Sequence, residues 1–158
     1  MRRTARSALL VPLAALLALS LPACGDDKGD EDGAATKPKV EVPSGDPPTT
    51  LQKKDIKDGT GAEATTGQKV SVQYVGVSYS TKKQFDASWD NPGAKPFNFT
   101  LGAGNVIQGW DEGVPGMKVG GRRHLVIPPA LAYGPAGYPP VIAPNETLVF
   151  VVDLVAIN

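Results

Sequence analysis

Between Val70 and Tyr79 the chain reads Val-Ser-Val-Gln-Tyr-Val-Gly-Val-Ser-Tyr, alternating apolar and polar at its start and rich in β-branched residues. That period of two predicts a strand with one face toward a core. Phe97 to Leu101 alternates in the same way and predicts another strand. Arg123 to Ile127 predicts a third, and Thr147 to Ile157 a long final strand that is largely buried. Leu51 to Lys57 is more polar and predicts a first strand at a sheet edge. Helical period occurs in one segment: Ile107, Trp110 and Val114 fall at i, i+3 and i+7, with Asn105 as N-cap and Pro115-Gly116 as the stop. Asp111 and Glu112 lie in its first half, where they suit the helix dipole weakly. These elements predict an α+β domain over residues 51–158, an antiparallel sheet of about five strands against one short helix.

The N-terminal third follows a different pattern. Arg2, Arg3 and Arg6 precede an apolar run from Ala8 to Leu19, which is too short for a membrane span and reads as the core of a signal peptide. Leu21-Pro22-Ala23 then leads into Cys24, the chain's only cysteine. A small residue before a lone cysteine resembles a bacterial lipobox, so residues 1–23 are expected to be removed and Cys24 lipidated. The alternative is an ordinary secretory signal with a chance cysteine. Residues 24–50 are acidic and proline-rich, with valine as their only large apolar residue type and no aromatic. They are expected to form a disordered tether. The carboxylates from Asp26 to Asp32 fit no EF-hand loop and read as solvated linker. The expected location is therefore extracytoplasmic, at the cell membrane through lipid on Cys24.

Composition excludes several classes of function. The 16 basic residues balance 16 acidic ones, and removing the leader takes away only basic residues, so the mature chain is mildly acidic and gives no argument for nucleic acid. Lipidation of Cys24 would leave the domain without a thiol, hence without a disulfide or cysteine nucleophile. His124, the single histidine, lies in an alternating strand and reads as a residue of an exposed sheet face. No His/Cys/Asp cluster has metal-ligand spacing, and Gly59-Thr-Gly61 lacks the strand and third glycine of a dinucleotide fingerprint. Lys53, Lys54, Lys57, Arg122 and Arg123 read as solvated faces. Neither a metal nor any cofactor is expected.

Eight segments carry a resemblance. Tyr74-Val-Gly76, Phe85-Asp86-Ala-Ser88, Pro96-Phe97-Asn-Phe99, Leu101-Gly102, Val106-Ile107-Gln-Gly-Trp110, Gly113-Val114, Ala132-Tyr133-Gly134 and Thr147-Leu-Val-Phe150 resemble, in order and spacing, the signature of FKBP-type peptidyl-prolyl cis-trans isomerases. The resemblance covers essentially all of residues 51–158. It implies a half-barrel sheet wrapped around the helix, with an apolar pocket between them. Asp86, Ile107, Trp110 and Tyr133 would be the catalytic set. Trp110 would be the floor under the proline ring, and the Ile107 N–H and Tyr133 hydroxyl the donors to bound carbonyls. Tyr74, Phe85, Phe97, Phe99, Val106, Tyr138, Ile142 and Phe150 would bind substrate. Without the resemblance these aromatics could equally be ordinary core. The implied partners are proline-containing polypeptides and the macrolides tacrolimus and rapamycin, with the chain acting as a monomer.

Two departures from the family pattern stand out. Many members carry an arginine after the Phe-Asp pair, but Trp89-Asp90-Asn91-Pro92-Gly93-Ala94 offers none, so Asp86 is expected to rest on other donors such as the Tyr74 hydroxyl. In the flap Gly134-Pro-Ala-Gly-Tyr-Pro-Pro-Val-Ile142, Tyr138 stands where many members have histidine, and three prolines predict a stiff loop. The leading expectation is isomerisation of Xaa-Pro bonds in exported proteins. A non-catalytic tethered module that binds proline segments or macrolides is the alternative, and a solute-binding lipoprotein fits poorly because the domain is small.

Overall fold

The computed structural model describes residues 36–158, so the expected signal peptide, Cys24 and the first part of the expected tether lie outside the described residues. Six strands form one antiparallel sheet: β1 Gln52–Lys57, β2 Lys69–Ser78, β3 Gln84–Ala87, β4 Phe97–Thr100, β5 Arg122–Ile127 and β6 Leu148–Ile157. The order is β1-β5-β6-β2, with β3 and β4 sharing the far side of β2. β4 pairs with Lys69–Val72 and β3 with Val75–Val77. The sheet thus has six strands where about five were expected. β3, Gln-Phe-Asp-Ala, is too short to show a period and is defined by its pairing with β2.

Helix α1 spans Gln108–Gly113 and begins later than expected, with Ile107 rather than Asn105 at the N-cap. Gly102 and Gly104 adopt positive φ, and their amides donate to the Asp111 carboxylate at 2.8 and 3.0 Å. The preceding loop is thereby folded back onto the helix instead of continuing it. Two glycines one turn apart let α1 lie close on β5. A Cβ at Gly109 would stand 2.3 Å from Ile127, and one at Gly113 would stand 3.0 Å from Leu125. Arg123, expected on a solvated face, is buried under the end of α1. Its guanidinium donates to the Gly113 and Pro115 carbonyls and pairs with Asp55 at 2.6 Å. It satisfies carbonyls that a helix end leaves without partners.

The inner face of the sheet carries the main core, in which Val70, Val72, Leu125, Ile127, Leu148 and Val152 meet Leu101, Trp110 and Val114. The outer face is also apolar, which accounts for the nearly unbroken hydrophobic run of β6. Residues 36–50, expected to belong to a disordered tether, are laid across it. Val40 and Val42 pack on Val75, Val77, Val126 and Val149. His124 Nε2 meets the Glu41 carbonyl at 2.8 Å, the Tyr79 hydroxyl donates to the Gly45 carbonyl, and Lys37 pairs with Asp90 at 2.6 Å. Two half-buried valines contribute about 2 kcal/mol together. Composition counted the valines but could not show the waiting surface. This strap corrects the expectation for residues 36–50 and partly covers His124.

Candidate functional site

Six aromatic rings meet where β2, β3, β4 and β6 face α1. Trp110 projects from the helix and is only 4 % exposed. Around it stand Tyr74 at 5.0 Å, Phe150 at 5.3 Å, Phe99 at 5.5 Å and Phe97 at 6.3 Å between ring centroids. All but Phe99 meet the indole edge to face, an arrangement that suits the ring quadrupoles. Phe85 completes the wall by standing against Phe150 at 5.6 Å. Phe97, Tyr133 and Tyr138 remain exposed at the rim, Tyr138 most of all at 61 %. Val106 and Ile107 are half-buried against this cluster, and Ile142 is buried in it.

Polar groups are few and specifically placed. The Tyr74 hydroxyl donates to Asp86 Oδ2 at 2.6 Å, as expected for a carboxylate without its arginine. Among the described residues no cationic nitrogen lies within 4 Å of Asp86. Burial, and then the bonded Asp86 carboxylate, push the Tyr74 hydroxyl well above the ordinary tyrosine range. Burial likewise raises Tyr133, helped by the fields of Asp86 and Tyr138. Both hydroxyls are therefore neutral donors at any physiological pH. Neither the Tyr133 hydroxyl nor the Ile107 N–H donates to an acceptor among the described residues, so both are available to a bound carbonyl.

The flap between Tyr133 and Ile142 is a closed hairpin. Tyr138 N–H donates to the Ile142 carbonyl at 2.9 Å and Ile142 N–H returns to Tyr138 at 2.8 Å. Its two tyrosine rings lie 5.8 Å apart. The structure thus brings the predicted site residues into one recess and its rim.

Sequence reasoning gave no role to three supports of this recess. Ser88 Oγ accepts the Tyr74 amide at 2.8 Å and bonds to Gln73, whose own amide reaches the Ala94 carbonyl, fixing the loop behind Asp86. Asp111 holds the loop before Val106. Gly76 lies directly beneath the rings of Phe85 and Phe150. Ser88 and Gln73 are buried and Asp111 is partly exposed, and the partners that give each its role lie apart from it in the chain. A separate groove of about 730 Å³ lies on the outer face between the strap and β1, and none of the aromatic residues of the recess line it. Among the described residues no group of three or more His, Cys, Asp or Glu could hold a metal ion.

Comparison with known proteins agrees with this geometry. Residues 61–155 match the family model of the FKBP-type peptidyl-prolyl cis-trans isomerases. The chain is 58 % identical over 122 residues to an FK506-binding protein of Streptomyces anulatus, an alignment covering 77 % of this chain and 97 % of that one. It is 43 % identical over 109 residues to a peptidyl-prolyl cis-trans isomerase of Schizosaccharomyces pombe, covering 68 % and 95 %. The crystal structure of AtFKBP13 superimposes with a TM-score of 0.63 at 36 % identity, covering 71 % of this chain and 96 % of that one. The chain belongs to the FKBP-type peptidyl-prolyl cis-trans isomerases.

Proposed function

We propose that the aromatic recess catalyses prolyl isomerisation by holding the twisted amide more tightly than either planar isomer, and that the enzyme acts on exported proteins from a lipid anchor at Cys24. Rotation about a prolyl amide breaks its resonance, against a barrier of about 18–20 kcal/mol. No covalent bond is made or broken, so the reaction requires no nucleophile. Each 1.36 kcal/mol or so of preference for the twisted form gives about tenfold in rate. A twisted amide has lost conjugation and is less dipolar, so it leaves water for an apolar cavity at lower cost.

The observation that carries this reading is a buried indole floor ringed by four aromatics, with two unengaged donors at its edge. Trp110 would support the pyrrolidine ring, while the Ile107 amide and Tyr133 hydroxyl hold the flanking carbonyls without reorganising. Asp86 would face the rotating carbonyl. The leader and Cys24 pattern supports export and lipidation.

The test measures isomerisation of short Xaa-Pro peptides by the purified full chain and by its Tyr133→Phe, Trp110→Leu and Asp86→Ala variants. Rates that fall in the variants and are blocked by rapamycin support the mechanism. Variants as fast as the parent would remove the recess from the chemistry, and rapamycin binding without turnover would leave a docking module. In cells, mass spectrometry should find lipid on Cys24, and Cys24→Ser should release the protein from the membrane fraction. A membrane-bound, unlipidated Cys24→Ser protein would refute the anchor.

A further inference from the structure

The carboxylate at the mouth of the recess has no ion-pair partner within 4 Å among the described residues. Asp86 is exposed, and one of its oxygens accepts the Tyr74 hydroxyl, a neutral donor. Its other oxygen has no donor, and no cation lies within 4 Å of it, among the described residues. The next acid along the chain, Asp90, is already held by Lys37 of the strap and by Gln84 of β3. Burial raises both Tyr74 and Tyr133, and the Asp86 carboxylate adds to the rise of each. One exposed carboxylate without an ion-pair partner among the described residues therefore stands at the edge of the aromatic cluster. Beside it stand the exposed rings of Tyr133 and Tyr138, 5.8 Å apart, whose faces attract cations.

We infer that Asp86 is a specificity residue that selects prolyl bonds flanked by lysine or arginine. This rests on the recess being the substrate site, as proposed above. A basic side chain next to the proline would supply the counter-charge from the substrate, its aliphatic stem on the tyrosine rim and its head on the free carboxylate oxygen. An exposed ion pair of this kind is worth a modest amount, about threefold to fivefold in kcat/KM, and a glutamate at the same place loses about as much.

The experiment compares neutral-capped peptides bearing Lys, norleucine or Glu immediately before or immediately after proline, with the full chain and its Asp86→Asn variant. Rates are taken at low salt and at 1 M NaCl, and binding is measured in parallel by calorimetry so that a slow variant still gives a ratio. Expected is a Lys-over-norleucine ratio of about three to five at one of the two positions, Glu lowest, both differences shrinking in salt and vanishing in Asp86→Asn. Equal rates for all three peptides overturn the inference and leave the recess as the active site. A preference that survives intact in Asp86→Asn assigns it to another group and also overturns the inference. Failure to turn over any peptide overturns the catalytic reading itself.

Discussion

Gly76 offers a severe test of how the recess is built. It pairs across the sheet with Phe150 on one side and Asp86 on the other. A Cβ placed there would lie 2.7 Å from the Phe150 ring and 2.7 Å from the Phe85 ring. Replacing a strand glycine by alanine ordinarily stabilises by about 0.4–1 kcal/mol, because the unfolded chain has less freedom to lose. Overpacking costs about 1–3 kcal/mol. The second effect should win here, because Phe150 cannot retreat: Trp110 and Tyr74 stand behind it at 5.3 and 6.3 Å. Phe85 is half-exposed and can swing outward, taking the wall of the recess with it. Gly76→Ala should therefore lose about 1–2 kcal/mol net, a Tm drop of about 3–8 °C for a domain of this size. Its kcat/KM should fall further than global stability explains. Thermal denaturation and peptide isomerisation measure the two effects, and the pair Gly76→Ala with Phe85→Ala supplies a cycle in which the alanine cost shrinks. A Gly76→Ala protein as stable and as active as its parent would refute this account of the wall.

Three further outcomes are expected. Arg123→Met should cost about 2 kcal/mol by leaving the Gly113 and Pro115 carbonyls and the Asp55 carboxylate without their partner, a loss read by denaturant melts. Burial opposes ionisation of Glu146, but its hydrogen bonds to the Ser80 amide and hydroxyl at 2.9 and 2.6 Å outweigh that and hold it below the usual carboxylate range. A lowered folded-state pKa stabilises above the unfolded value and is lost as pH falls through the folded one. Glu146→Gln should thus destabilise by about 1–2 kcal/mol at pH 7, with the gap from wild type closing below about pH 4. Isomerase activity should show no tyrosine-like loss across the neutral and mildly alkaline range, because Tyr74 and Tyr133 both titrate above the ordinary tyrosine range; such a loss with a midpoint near 9 would contradict it.

The elements with a strong period were legible from the chain: β2, β4, β5 and β6 lie within a residue or two of their expected bounds. The family resemblance marked Tyr74, Asp86, Trp110, Tyr133 and Phe150 as candidates, and folding brings the rings of Tyr74, Trp110 and Phe150 together with Asp86 bonded to Tyr74. What the sequence hid depends on partners distant in the chain. β3 exists only through β2, and Arg123 looked solvated because nothing local announces that α1 ends above it. Val40 and Val42 looked like stray residues in a polar segment until the outer face of the sheet supplied Val75, Val126 and Val149. Asn105 reads well as a cap, yet Gly102 and Gly104 commit the chain to turns first.

The strap also changes the arithmetic of attachment. A fully free segment from Cys24 to Thr50 could extend to about 90 Å. With the chain fixed from Thr36, whose carbonyl meets Arg122, the reach that the proposed lipid on Cys24 would allow shortens to at most about 40 Å. The leash departs on the side where Lys37 grips Asp90, a few residues along from Asp86. On the proposed anchor, the strap would therefore confine the enzyme to a thinner layer above the surface that carries it than a free tether would.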